Sequence, residues 1–194
     1  MKKIDINKII IEAKSNNVDI ARAAIFKIGS LGIVDAKPLL KELLYSTNQW
    51  IRDAAAISLG DLKANEVVPE IMDLINNPNN KDNNGSLIYA LQNLEIKDFF
   101  LDFIKLLSSH LESRDLALDI IENNLDIVST DIQKQALIDC KKDRKNISKK
   151  LRVADMEDKE DIENTIQYID YAIYLLEGKK GSVKRPSIFD FLVE

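Results

Sequence analysis

One cysteine and one histidine in 194 residues remove much of the chemistry open to a globular chain of this size. Cys140 has no second thiol for an internal disulfide and reads as a small buried residue. A metal site built from cysteine and histidine fails on numbers alone. His110 lies in a serine-rich turn, SSHLES, and no Cys-His or Ser-His-Asp set forms around it. Glycine is scarce, and GSLG at Gly29–Gly32 has neither the lysine nor the length of a phosphate loop. Carboxylates are plentiful, but no pattern sets two of them in a pocket for acid–base work. No catalytic residue, cofactor or metal is therefore expected. Long apolar runs are also missing: none approaches the roughly 20 residues that span a bilayer. The opening stretch MKKIDINKIIIEAK is broken by Asp5, Asn7 and Lys8 before it reaches the apolar length of a signal peptide. A cytoplasmic location and no membrane partner are the expectation. Positive charge is short as well. The formal net charge is -5, and residues 1–140 carry 15 basic against 21 acidic groups, a balance that opposes binding to a nucleic-acid backbone.

What the chain has is helical periodicity. Apolar residues make up 45% and charged residues 30%, the composition of an ordinary globular protein. Ile4, Ile6, Ile9, Ile10 and Ala13 begin an amphipathic helix. Asp19 is placed to cap a second, carrying Ile20, Ala23, Ala24, Ile28 and Leu31 on one face. Asp35 is placed to cap a third, with Pro38 in its first turn and Leu39, Leu40, Leu43 and Leu44 as its stripe.

A shift of 31 superposes this pattern on the next stretch. Ile20 falls on Ile51, Ala23 on Ala54, Ala24 on Ala55, Ile28 on Leu59, Gly29 on Gly60, Pro38 on Pro69 and Leu43 on Leu74. Matching alanines, glycines and prolines at one offset identify an internal repeat. A third copy follows at a shift of 32, with Ser86 and Leu87 in place of the alanine pair and Leu101 in place of the proline. Before it comes the asparagine-rich connection NNPNNKDNN, read as a solvated loop. In a fainter fourth copy Arg114, Ala117, Ile120 and Ile121 form a helix, with Asp131 to Cys140 as its partner.

The second copy resembles the HEAT-like repeats, in particular the short variety first described in phycobilin lyases. Ile51, Arg52, Ala54, Ala55, Ala56, Leu59, Gly60, Leu62, Val68, Pro69, Ile71, Leu74, Ile75 and Pro78 follow that consensus. The first copy has Ala21 where the consensus has arginine, and the resemblance covers about residues 18–125. It implies an all-α, right-handed α-α superhelix. Residues 1–140 would form about four helix pairs, and residues 141–194 a C-terminal helical cap with an apolar tail. A family that serves scaffolds, lyases and DNA glycosylases shares geometry rather than chemistry.

Charge is blocked after Cys140. Lys141 to Arg152 holds seven basic residues and one acid, and Asp155 to Glu163 six acids and one lysine. These read as solvated helix faces, or as two blocks facing each other across a hairpin. Ile162, Ile166, Ile169, Ile173 and Leu176, beside Tyr168, Tyr171 and Tyr174, predict a strong last helix ended by Gly178 and Gly181. Ile188, Phe189, Phe191, Leu192 and Val193 in the tail predict a segment that folds back or docks on another molecule.

With no chemistry indicated, a surface remains. In stacked helix pairs the second helices line the concave side, and their open positions recur once per repeat. The register picks out Asp19, Arg22 and Phe26; Trp50, Asp53 and Ile57; Asp82, Gly85 and Tyr89; and Glu112, Asp115 and Asp119. Asp19, Arg22, Phe26, Trp50, Asp53, Tyr89, Asp115 and Asp119 are the candidate partner-binding residues, aromatic anchors in an acidic groove. The expected function is a non-catalytic adaptor or binding module for a basic protein or peptide. A toxin-neutralising immunity protein is one alternative. An enzyme, either DNA-glycosylase-like or a bilin-type lyase, is the other.

Overall fold

Two asparagines at one spacing start the core helices. Asn17 Oδ1 accepts from the backbone N–H groups of Asp19 and Ile20, at 3.0 and 3.2 Å. Asn48 Oδ1 accepts from those of Trp50 and Ile51, at 3.0 and 3.4 Å. Each cap is itself fixed by a serine two residues earlier, Ser15 or Ser46, whose Oγ accepts from the asparagine N–H. Asp19 is thus not the cap: it stands in the first turn, where its charge complements the helix dipole. Asp35 caps nothing either. It lies in a short 3-10 turn, Val34–Ala36, that leads into the proline-bearing helix, and Asn65–Val67 does the same one repeat later.

The computed structural model describes residues 5–80, 83–109, 111–178 and 183–187. Among them there is no strand, and no helix is long and apolar enough to cross a membrane. The helices are α1 (Ile6–Ala13), α2 (Val18–Ser30), α3 (Lys37–Leu43), α4 (Gln49–Asp61), α5 (Val68–Asn76), α6 (Gly85–Leu91), α7 (Phe100–Leu106), α8 (Leu111–Asn124), α9 (Thr130–Leu151) and α10 (Met156–Leu176). They form two compact units, Met1–Glu95 and Ile96–Glu194.

In the first unit α4 is the centre, packed on α2, α3 and α6. Two small residues set how close these helices come. A Cβ added at Gly29 of α2 would lie 2.9 Å from the Cα of Ser58 in α4, and one at Gly60 of α4 would lie 2.5 Å from the carbonyl oxygen of Ala90 in α6. Ser58 Oγ also donates across the α2–α4 contact to the Ile25 carbonyl, at 2.9 Å. Ile25, Ile28, Leu40, Leu59, Ile71 and Leu87 fill the space behind this contact with no exposed surface. Both α2 and α4 end alike: Ile33 N–H donates to Ile28 O and Ala64 N–H to Leu59 O, around a residue with positive φ. That residue is Gly32 at +66° in the first copy and Lys63 at +52° in the second, so the repeat keeps the left-handed turn even without glycine.

The two copies do not bury the same positions. Ile51, Ala54 and Leu62 are buried, whereas their counterparts Ile20, Ala23 and Leu31 are exposed. Helix α4 has α2 on one side and α6 on the other, and α2 has α4 alone among these three. The apolar face expected for α2 is corrected accordingly: Ala21, Ala24, Ile25, Ile28 and Gly29 carry it.

In the second unit α8 packs on α7 and α10, and α9 on α7 and α10. Arg114, Ala117, Ile120 and Ile121 are buried on α8 as expected, but the main partners of α8 are α7 and α10 rather than residues 131–140. Those residues open a continuous helix that runs through position 140 to Leu151, so the change of charge at Lys141 falls inside an element. The charge blocks follow the helix dipoles. Lys149 and Lys150 end α9, while Asp155 caps α10 and Glu157 and Asp158 follow in its first turn. Across the hairpin the basic block pairs with residues beyond the acidic block: Arg144 Nε with Asp170 Oδ1 at 2.9 Å, and Lys141 with Glu177 at 2.7 Å. The buried stripe of α10 is Asn164, Thr165, Tyr168, Ile169 and Ala172, with Ile162, Ile166 and Ile173 half-buried beside it. Cys140 is buried, and that burial pushes its thiol up to about 12. His110, Gly181 and the apolar tail residues 188–193 lie outside the described residues.

The packing predicts two costs measurable by chemical denaturation. Leu59→Ala removes a wholly buried side chain and is expected to lower stability by roughly 2–5 kcal/mol. Gly60→Ala, which adds one methyl against the Ala90 carbonyl, is expected to cost about 1–3 kcal/mol. Neutral behaviour of either variant contradicts the α2–α4–α6 register.

Candidate interaction faces on the even-numbered helices

The outer turns of α2 and α4 meet at one cation. The Arg22 guanidinium sits 5.5 Å from the centre of the Phe26 ring, one turn along its own helix, and 5.0 Å from the Trp50 ring at the start of α4. Stacking on two rings holds a long side chain that would otherwise sample many rotamers. Asp19, Arg22, Ala23 and Phe26 line a shallow depression beside it. Trp50 is 57% exposed and Tyr89 of α6 is 49% exposed, while Phe26 and Ile57 are half-buried. Of the aromatics singled out from the register, Trp50 and Tyr89 therefore stand open, and Trp50 and the half-buried Phe26 are joined through Arg22.

Asp53 departs from the expectation. It is only 8% exposed, and its Oδ1 accepts from Arg52 Nε at 3.1 Å and from Arg52 Nη2 at 2.9 Å. The same guanidinium donates to Asn80 Oδ1 at 2.7 Å and to the Asn83 carbonyl at 3.1 Å. Arg52 thus binds the asparagine-rich connection to α4, and Asp53 neutralises it. Asp53 is structural because its neighbour is a buried cation that needs a counter-charge. Asp82 lies outside the described residues, and Gly85 is buried.

On α8 the register residues belong to a different arrangement. Asp115, Asp119 and Glu122 are spaced to share one helix face, and all three are half-buried. Tyr168 of α10 donates its hydroxyl to Asp115 Oδ1 at 3.0 Å, and Tyr171 donates to Glu122 Oε1 at 2.9 Å. Burial, reinforced by Asp115, pushes the Tyr168 phenol well above its ordinary range. The cation at this stripe comes from residues 183–187. Arg185 Nε donates to Glu122 Oε2 at 2.9 Å, Nη2 donates to Asp119 Oδ1, and Nη1 lies 3.5 Å from Asp115 Oδ1. Desolvation nonetheless raises the Asp119 carboxyl above its usual range, with Asp115 and Glu122 adding to the shift and Arg185 opposing it. Glu112 is exposed one turn earlier. Glu122 and Arg185 were not among the candidates. The helical spacing of Asp115, Asp119 and Glu122 was a legible signal for the first, but nothing local signals the return of residue 185.

Trp50 is the chain's only tryptophan, so its fluorescence reports this surface alone. The expected emission is that of a water-exposed indole, readily quenched by acrylamide, and Trp50→Ala should leave the melting temperature close to that of the wild type. A blue-shifted, unquenchable emission contradicts the exposed position.

Residues 6–92 match the family model described as HEAT repeats, a match that does not single out the phycobilin-lyase variety. No curated protein and no solved structure matches the chain. The alanine-packed, proline-punctuated helix pairs agree with that match: residues 6–92 of this chain are similar to HEAT repeats.

Proposed function

We propose that this protein is a non-catalytic binding module that takes a basic protein or peptide. HEAT repeats are commonly protein-interaction scaffolds. The observation that carries the proposal is the triad Phe26–Arg22–Trp50, a stacked guanidinium beside a tryptophan that is more than half exposed. Tryptophan and arginine are the side chains most enriched among residues that dominate interface energetics. Here they are pre-positioned, so less rotamer entropy is lost on binding. The preference for a basic partner rests on the acidic balance of the chain and on the carboxylates of α8, which accept a guanidinium from the chain itself. The same balance disfavours a nucleic acid. A cytoplasmic setting fits the single buried thiol.

Immobilised wild-type protein and Trp50→Ala, exposed in parallel to a lysate of the native host and read by mass spectrometry, test this reading. The expectation is a basic protein retained by the wild type and reduced about tenfold or more on Trp50→Ala, the scale of a hot-spot residue. If everything the wild type retains is retained equally by the variant, the triad is not the anchor and the proposal is wrong.

A further inference from the structure

Helix α4 shows which side of a core helix a neighbour covers, and α2 leaves that side bare. On α4, Ser58 donates to the Ile25 carbonyl and stands against Gly29 of α2. Ile51, Ala54 and Leu62 share its face by helical spacing, and all four are buried. A shift of 31 carries these positions to Ile20, Ala23, Lys27 and Leu31 of α2. There all four are exposed, Ile20 at 47% and Leu31 at 44%. Helices α1 and α4 pack on α2 without covering this stripe. Its charges are open as well: among the described residues neither Asp19 nor Lys27, about two turns apart along α2, forms an ion pair. Beside Ala23 lies the shallow depression lined by Asp19, Arg22, Ala23 and Phe26, with the Arg22 guanidinium stacked on the Phe26 and Trp50 rings.

We propose that the bare stripe of α2 is covered by α2 of a second copy of this chain, the two helices running antiparallel about a two-fold axis at Ala23. Charge selects both the occupant and the orientation. Antiparallel pairing centred on Ala23 sets Asp19 opposite Lys27 of the second copy, and the two-fold makes the same pair again on the other side. Parallel pairing in register would set Lys27 against Lys27 and Asp19 against Asp19. Ala23 meets its own counterpart at the axis, where a side chain of one carbon lets the helices approach, as small residues do between α2 and α4. Each Lys27 lays its aliphatic stem over Ile20 of the other copy and brings its ammonium to the depression beside Asp19. One helix pair is a small interface, so the dimer is in exchange with monomer and weakens with salt. The dimer is independent of the basic-partner reading: Trp50 is on α4 and takes no part in the pairing.

Sedimentation equilibrium of the full chain at low salt, from about 10 μM to about 1 mM, tests this over the range of weak specific complexes. The wild type is expected to pass from monomer to dimer. Ala23→Gln, which adds bulk at the axis of an exposed position, is expected to abolish the dimer. Asp19→Lys and Lys27→Asp each place like charges together twice per dimer and are expected to weaken it about tenfold or more. The double variant Asp19→Lys with Lys27→Asp restores opposite charges across the axis and is expected to recover the dimer. Where a reversal lowers the melting temperature, Asp19→Asn and Lys27→Gln, which remove a charge without inverting it, take its place and are expected to weaken association less. A wild type that stays monomeric at about 1 mM overturns the proposal. So does a dimer indifferent to Ala23→Gln, which would form through another surface. Loss on both single reversals with no recovery in the double variant overturns the antiparallel pairing.

Discussion

The first unit depends on three helices coming closer than ordinary side chains permit. At Gly29 and Ser58, and again at Gly60 and Ala90, there is no room for a further carbon atom. Where backbones approach this closely, the larger side chains on either side must interdigitate, and Ile28, Leu59 and Leu87 do so without exposed surface. The hydrogen bond from Ser58 to the Ile25 carbonyl adds direction to a contact that dispersion alone would leave free to slide. The other repeated features serve this contact. The asparagine caps start α2 and α4 at equivalent points, and the left-handed turns after them aim the next helix back.

A stack held in this way spends its apolar surface between helices and leaves the outer turns free. That freedom explains why Trp50 stands open at the start of a helix most of whose residues are buried. It also explains Arg52, one residue pair along and pointing elsewhere. Its guanidinium is occupied by Asp53 and by the asparagine-rich connection, where it donates to Asn80 Oδ1 and to the Asn83 carbonyl. Two arginines at neighbouring positions of the repeat surface thus divide the work. Arg22 is held by aromatic faces and remains exposed, while Arg52 is held by oxygens and is buried.

Much of this was legible in the sequence, for physical reasons. Alanine, glycine and proline are constrained by backbone geometry, so their recurrence at an offset of 31 tracked the helices of the first unit closely. The caps were misread because Asp19 and Asn17 are both good capping residues, and only geometry decides between them. Asp53 was misjudged because a register marks which way a residue points but not whether its neighbour is a buried cation. The exposure of Ile20, Ala23 and Leu31 depends on how many helices flank α2, which the repeat itself does not encode. Beyond residue 96 the pattern weakens, and long-range pairings dominate: Tyr168 to Asp115 and Arg185 to Glu122 link residues 53 and 63 positions apart. Separations of that size leave no periodic trace.

Native-state hydrogen exchange on the amides of residues 55–60, the part of α4 enclosed by α2 and α6, tests the central claim most directly. If the close contacts at Gly29 and Gly60 hold the unit together, these amides open only when the whole unit unfolds, with the free energy found by denaturant. Exchange through a local opening of much lower free energy, comparable to that of the terminal helix α1, would contradict it.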